Sequence, residues 1–161
     1  MIFLGIDPGL ATTGYGVIRA EGNRLSLVDY GVIKTPAKTP LPDRLLMLSQ
    51  SFFAVLTQFK PTAVSVEELF FNTNTSTAMA VAQCRGVILL KSKEYGLPVS
   101  GYTPLQVKQA VCGYGRAEKQ QVQYMVKQLL GMTAIPRPDD AADALAIAIC
   151  HSHSHLIQSL S

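Results

Sequence analysis

The first sixteen residues, MIFLGIDPGLATTGYG, constrain this chain more than any other stretch. Ile2, Phe3, Leu4 and Ile6 read as an apolar strand, Asp7 closes it, and Pro8-Gly9 breaks the chain into a tight turn. A carboxylate at the rim of a buried strand needs a partner, because an unpaired desolvated charge is costly. Asp7 could simply cap its own loop, as turn aspartates do. Two other acidic spots also fall at the ends of expected elements, however: Glu67-Glu68, and Asp139, Asp140 and Asp143. Together they suggest carboxylates, distant in sequence, that converge on a divalent metal.

The rest of the pattern says what would bring them together. Residues 15–20 and 25–34 read as second and third strands, joined to each other by the Glu21-Gly22-Asn23 turn, which argues an antiparallel meander. Leu45, Leu48, Phe52, Leu56 and Phe59 follow a helical period, and Lys60-Pro61 ends that helix. Residues 63–67 (AVSVE) form a short buried strand that again terminates in acid. A long helix over 75–95 is rich in small residues (Ala78, Ala80, Ala82, Gly86) and stops at Gly96-Leu97-Pro98. A fifth strand follows over 99–102, then helices over 104–111, 118–130 and from 139 to about 153. Strands first and helices afterwards give one α/β domain over residues 1–161, a five-stranded mixed sheet flanked by helices, in the order of a ribonuclease H-like fold.

Composition narrows the setting. Charged residues are 16% of the chain against a usual ~25%, and hydrophobic residues 48%, so disorder is excluded. No apolar run approaches a membrane span and no signal peptide is visible, which points to a cytoplasmic protein with no membrane partner. Cys84, Cys112 and Cys150 are too widely spaced for a zinc or disulfide framework and are expected as reduced thiols. Charge is uneven: residues 1–84 are neutral, 85–137 carry +6, and the remainder carries −3. The basic stretch, which includes Lys108, Arg116 and Lys119, suits a polyanion held beside the acidic cluster, although solvated helix faces would look the same.

Asp140 and Asp143 are spaced i, i+3 and share a helix face. A first-turn location favours acids on its own, yet three in five residues exceed what capping requires. Mg²⁺ prefers oxygen ligands and tolerates waters in its shell, so a few carboxylates plus phosphate oxygens suffice; two ions about 4 Å apart would suit phosphodiester hydrolysis. Glu67 and Glu68 point to opposite faces of a strand, and parity alone does not choose between them. Phe70 and Phe71 could stack on an unpaired base or pack in the core. His151, His153 and His155 are expected in a frayed, solvated tail.

The motifs GIDPG and TGYGVI within residues 5–18, VEELF at 66–70, CRGV at 84–87, QVKQAVCGYGRAEKQQVQ at 106–123 and DAADALAIAI at 140–149 closely resemble the RuvC family of crossover junction endodeoxyribonucleases. They span nearly the whole chain in the family's order. The resemblance implies a metal-dependent homodimeric nuclease that nicks two strands of like polarity, symmetrically, across a four-way (Holliday) DNA junction, leaving 5′-phosphate and 3′-hydroxyl ends. It implies Mg²⁺ as cofactor, two ions per site with Mn²⁺ able to substitute, and cooperation with the RuvA–RuvB branch-migration machinery. Asp7, Glu67 and Asp140 match the family's catalytic acids and Asp143 its fourth metal position, which settles the strand in favour of Glu67. Lys119 matches a lysine near the scissile phosphate, Lys108 a DNA-contacting lysine and Phe70 a base-stacking aromatic; the helix from residue 75 would lie near the dimer interface. Asp139 is an extra acid with no assigned role, and Cys84 stands where many relatives have a small residue.

Three other readings share some of these features. An actin-like ATPase also begins with G-x-D-x-G after a strand, but needs two lobes where 161 residues supply one. A non-catalytic DNA-binding protein would have little use for acids that repel phosphate. A nuclease of the same fold acting on RNA or other branched DNA differs only in substrate.

Overall fold

The structure, a computed structural model, describes residues 1–68 and 75–161. Strands β1 (Ile2–Asp7), β2 (Thr12–Glu21) and β3 (Arg24–Lys34) form the expected meander, followed by helix α1 (Leu41–Phe59), strand β4 (Ala63–Glu67), helix α2 (Thr75–Glu94) and strand β5 (Val99–Tyr102). Helices α3 (Pro104–Cys112), α4 (Lys119–Leu129) and α5 (Asp139–Leu160) complete the chain. The sheet order is β3-β2-β1-β4-β5, antiparallel through β1 and parallel from β1 to β4 and β5. This is the mixed five-stranded sheet that the sequence pattern leads one to expect, with the apolar first strand at its centre.

Local chemistry fixes the element ends. Thr103 caps α3 with a reciprocal capping box to Gln106, Pro104 sits in its first turn, and Gly113 ends it at φ +86°. Lys60, at φ +48°, ends α1 immediately before Pro61. β2 begins at Thr12, three residues earlier than the sequence suggests. The Thr13 hydroxyl donates to the Gly9 carbonyl at 2.8 Å, tying the turn down so that pairing continues to Asp7 opposite Gly14.

The two sheet faces carry separate cores. Leu4, Ile6, Val17, Val64 and Val66 pack with α1 and α2, while Phe3, Ile18 and Ala63 pack with α3, α4 and α5. On the second face α5 lies at backbone distance from the sheet. A Cβ at Gly5 would fall 2.1 Å from the Ala144 carbonyl oxygen, and one at Gly14 would fall 2.0 Å from that of Asp140. Glycine in β1 and β2, opposite alanine in α5, is what lets the helix settle there. The consequence is that its first turn lies beside the end of β1.

One expectation fails. α5 does not fray near His153 but runs to Leu160, because its histidines find tertiary partners. His151 is buried, its ring meets Phe3 edge-on at 4.8 Å, and its Nδ1 shares a 2.8 Å hydrogen bond with the Tyr102 hydroxyl. His153 Nδ1 donates to the Ala110 carbonyl at 3.0 Å, and His155 packs 5.5 Å from Phe3. Cys84, Cys112 and Cys150 are free thiols, as expected. No helix among the described residues is long and apolar enough to cross a membrane.

Candidate metal centre

β1 and β4 run parallel with Ile6 opposite Val66, so Asp7 and Glu67 leave the sheet side by side, on the α5 face. Glu68 takes the opposite face, its carboxylate lying near Gly101 and Arg85. The first turns of α5 bring Asp140 and Asp143 to the same place. One carboxylate oxygen from each of Asp7, Asp140 and Asp143 lies within 4.8 Å of the others, and Asp7 shares a side-chain hydrogen bond with Glu67. All four acids expected at the site therefore gather at one edge of the sheet.

Their electrostatics are unfavourable as they stand. Burial, together with the neighbouring Glu67, Asp143 and Asp140, pushes the Asp7 carboxyl up to about 9. Burial raises Glu67 as well, opposed by its bond to Asp7 and by the nearby Lys108 ammonium. Asp143 is pushed up to about 6 by burial, with Lys119 pulling it down and Glu67, Asp140 and Asp139 pushing it further up. Carboxylates crowded like this repel unless protons or cations intervene. Hard oxygen donors at this spacing fit Mg²⁺ or Mn²⁺; among the described residues no thiol or imidazole joins the group, so a soft metal is not favoured.

Beside the acids lies a cleft of about 230 Å³, lined by Glu67, Lys108, Lys119 and Asp143 over an apolar floor that includes Val107, Val122 and Ile147. Lys108 and Lys119 thus reach the acid edge from α3 and α4. Arg116 is exposed in the turn between those helices and does not line this cleft. Phe70 lies outside the described residues.

Two features escape sequence reasoning. Asp139 is held by three donors: Lys119 Nζ at 3.2 Å from Oδ2, with Arg137 Nη1 at 3.0 Å and Gln123 Nε2 at 3.1 Å from Oδ1. The second feature is Arg44, which lines a groove of about 590 Å³ on the far side of Asp140, with residues 9–12 of the turn after Asp7. Its guanidinium donates to the Thr35 hydroxyl at 3.0 Å and carbonyl at 3.1 Å, and the Thr35 hydroxyl donates to the Leu10 carbonyl. The loop behind Asp7 is thereby tied to α1. Neither network leaves a periodic signal, since its members sit on different elements and the loops between them.

With the geometry in place, known proteins supply a context. The family model described as crossover junction endodeoxyribonuclease RuvC matches residues 3–151. A crossover junction endodeoxyribonuclease RuvC from Desulfitobacterium hafniense is 62% identical over 154 residues, covering 96% of this chain and 93% of the relative. One from Syntrophomonas wolfei is 57% identical over 159 residues, covering 99% and 92%. The structure of Thermus thermophilus RuvC with a Holliday junction substrate superposes with a TM-score of 0.94 at 39% identity, covering 99% of this chain and 97% of that one.

Proposed function

The chain belongs to the RuvC family of crossover junction endodeoxyribonucleases, with a ribonuclease H-like fold, and from that premise we propose that it resolves four-way DNA junctions by paired symmetric nicks, in recombination and repair. The observation that carries this reading is the convergence of Asp7, Glu67, Asp140 and Asp143 beside a cleft bearing two lysines. Those four carboxylates would hold divalent ions, Mg²⁺ by preference with Mn²⁺ substituting, two per site. When bound, the ions supply Lewis-acid stabilisation of the phosphodiester and acidify water near neutral pH.

The chain's own residues do the remaining work. Lys119 and Lys108 face the cleft from two helices and bind phosphate oxygens of the cut strand, so an acidic site can accept a polyanion. Lys119, the nearer to Asp143 at 3.9 Å, offsets the negative charge that develops on the phosphate as the bond to the 3′ oxygen breaks. Asp7, centred between β2 and β4, touches the other acids and is the residue on which the cluster depends. Arg116, exposed on the turn ahead of α4, and Phe70 serve as further DNA contacts. Paired nicks call for two such sites, hence a homodimer, with α2 near its interface. RuvA–RuvB is the expected branch-migration partner, and the cytoplasm the compartment.

The test compares a four-way junction, a linear duplex and an RNA–DNA hybrid as substrates with Mg²⁺ present. Cutting of the junction alone, as two nicks with ligatable 5′-phosphate ends, is the expected result. Cutting of the hybrid with the junction left intact would overturn the assignment.

A further inference from the structure

Lys119 occupies the first position of α4, where the helix dipole disfavours a cation. Helix stability therefore does not account for a lysine there, and its ammonium finds a partner outside its own helix. The partner is Asp139, the residue immediately before the metal-site pair. Its Oδ2 accepts from Lys119 at 3.2 Å, whereas Asp143 Oδ2 lies 3.9 Å from the same nitrogen. Asp139 is itself oriented. Gln123, one turn beyond Lys119 on α4 and only 5% exposed, donates to Oδ1, as does Arg137 from the preceding loop. With Oδ1 taken by these two donors, Oδ2 is left for the lysine.

We infer that Asp139 is a positioning residue for Lys119: it holds the ammonium at the rim of the acid cluster, available to a phosphate, and keeps it from closing onto Asp143. The inference rests on the nuclease reading above. Both side chains of the pair are about half exposed, so their bond adds little to folding. Its value is geometric, because a lysine has a flexible stem and the charges of Asp139, Asp140 and Asp143 all act on this one. Without Asp139 the nearest remaining carboxylate is Asp143, a proposed metal ligand. Lys119 then competes with the cation for that oxygen and is withdrawn from the phosphate.

A double-mutant cycle separates this role from a structural one. Single-turnover junction cleavage, junction affinity and Mn²⁺ binding by calorimetry are measured for wild type, Asp139→Ala, Lys119→Met and the double variant. Asp139→Ala should cut about tenfold more slowly with junction affinity unchanged within twofold, and should bind Mn²⁺ several-fold more weakly. In the Lys119→Met background the same substitution should change the cutting rate less than twofold and leave Mn²⁺ affinity unaltered. Gln123→Leu, which keeps the Asp139 charge but loses an orienting donor, should show a smaller loss with the same dependence on Lys119. Equal losses in both backgrounds, or a wild-type rate for Asp139→Ala, would overturn the inference. Failure of the wild-type chain to cut a four-way junction would overturn the reading beneath it instead.

Discussion

The two ends of α5 show opposite solutions to one problem, the placing of polar side chains against a sheet. At its C-terminal half, His151 is buried yet satisfied, with Tyr102 on one side and the Phe3 ring on the other, and His153 donates to a backbone carbonyl. At its N-terminal turn, Asp140 and Asp143 stand beside Asp7 and Glu67, and burial among like charges makes the Asp7 and Asp143 carboxyls harder to ionise. Both ends bury polar groups on the same face of the same sheet. Only one is left with like charges crowded together, which Lys108 and Lys119 offset in part. Residue type does not mark the functional end, since histidine is the commoner metal ligand; crowded like charge does.

The largest expected effect comes from removing the carboxylate at the centre of the repulsive end. Asp7→Asn should reduce junction cleavage on the order of 10³-fold or more, while junction binding, which rests on basic residues, is retained in a gel-shift assay. Loss of cutting and binding together would indicate misfolding and blur the contrast between the two ends.

Gly14→Ala tests how the acids are brought there. A methyl group 2.0 Å from the Asp140 carbonyl oxygen must push the first turn of α5 away. Denaturation should show a loss of roughly 1–3 kcal/mol, with cleavage reduced beyond what the unfolded fraction explains.

The pH dependence of stability sharpens the comparison in a single experiment. Asp7 is raised to about 9 and Asp143 to about 6 in the folded chain, both above their unfolded values. Folding therefore binds protons, and the stability these groups contribute is complete below about pH 4 and lost as pH rises through 6 and then 9. The metal-free protein should melt progressively lower across that window, by several degrees. Mg²⁺ should reverse the loss, and Asp7→Asn should flatten the slope.

The smallest effect belongs to the satisfied end. Tyr102→Phe removes the hydroxyl that pairs with His151 and should cost about 1–2 kcal/mol of stability, with cleavage per folded molecule unchanged. A fall in cleavage there would mean that the two ends are not independent.

How much of this was legible beforehand depends on whether the signal is local. The strand ending in Asp7, the strand ending in Glu67 and the i, i+3 pair on α5 are short-range patterns, and reading them places all three elements. That Glu67 rather than Glu68 shares a face with Asp7 is a matter of parallel register, which one strand cannot reveal. The length of α5 is hidden from the sequence for a related reason. A polar HSHSH tail reads as frayed until Phe3 and Tyr102, more than 40 residues away, are seen to cover it. Asp139 reads as an extra acid with no role because Lys119 and Gln123 reach it from another helix.

Anomalous diffraction from crystals of the protein soaked in Mn²⁺ addresses the central claim most directly. Peaks should appear among the carboxylates of Asp7, Glu67, Asp140 and Asp143, and the Asp7→Asn variant should lose them. Ordered Mn²⁺ bound elsewhere while this quartet stays empty at saturating metal would contradict the account.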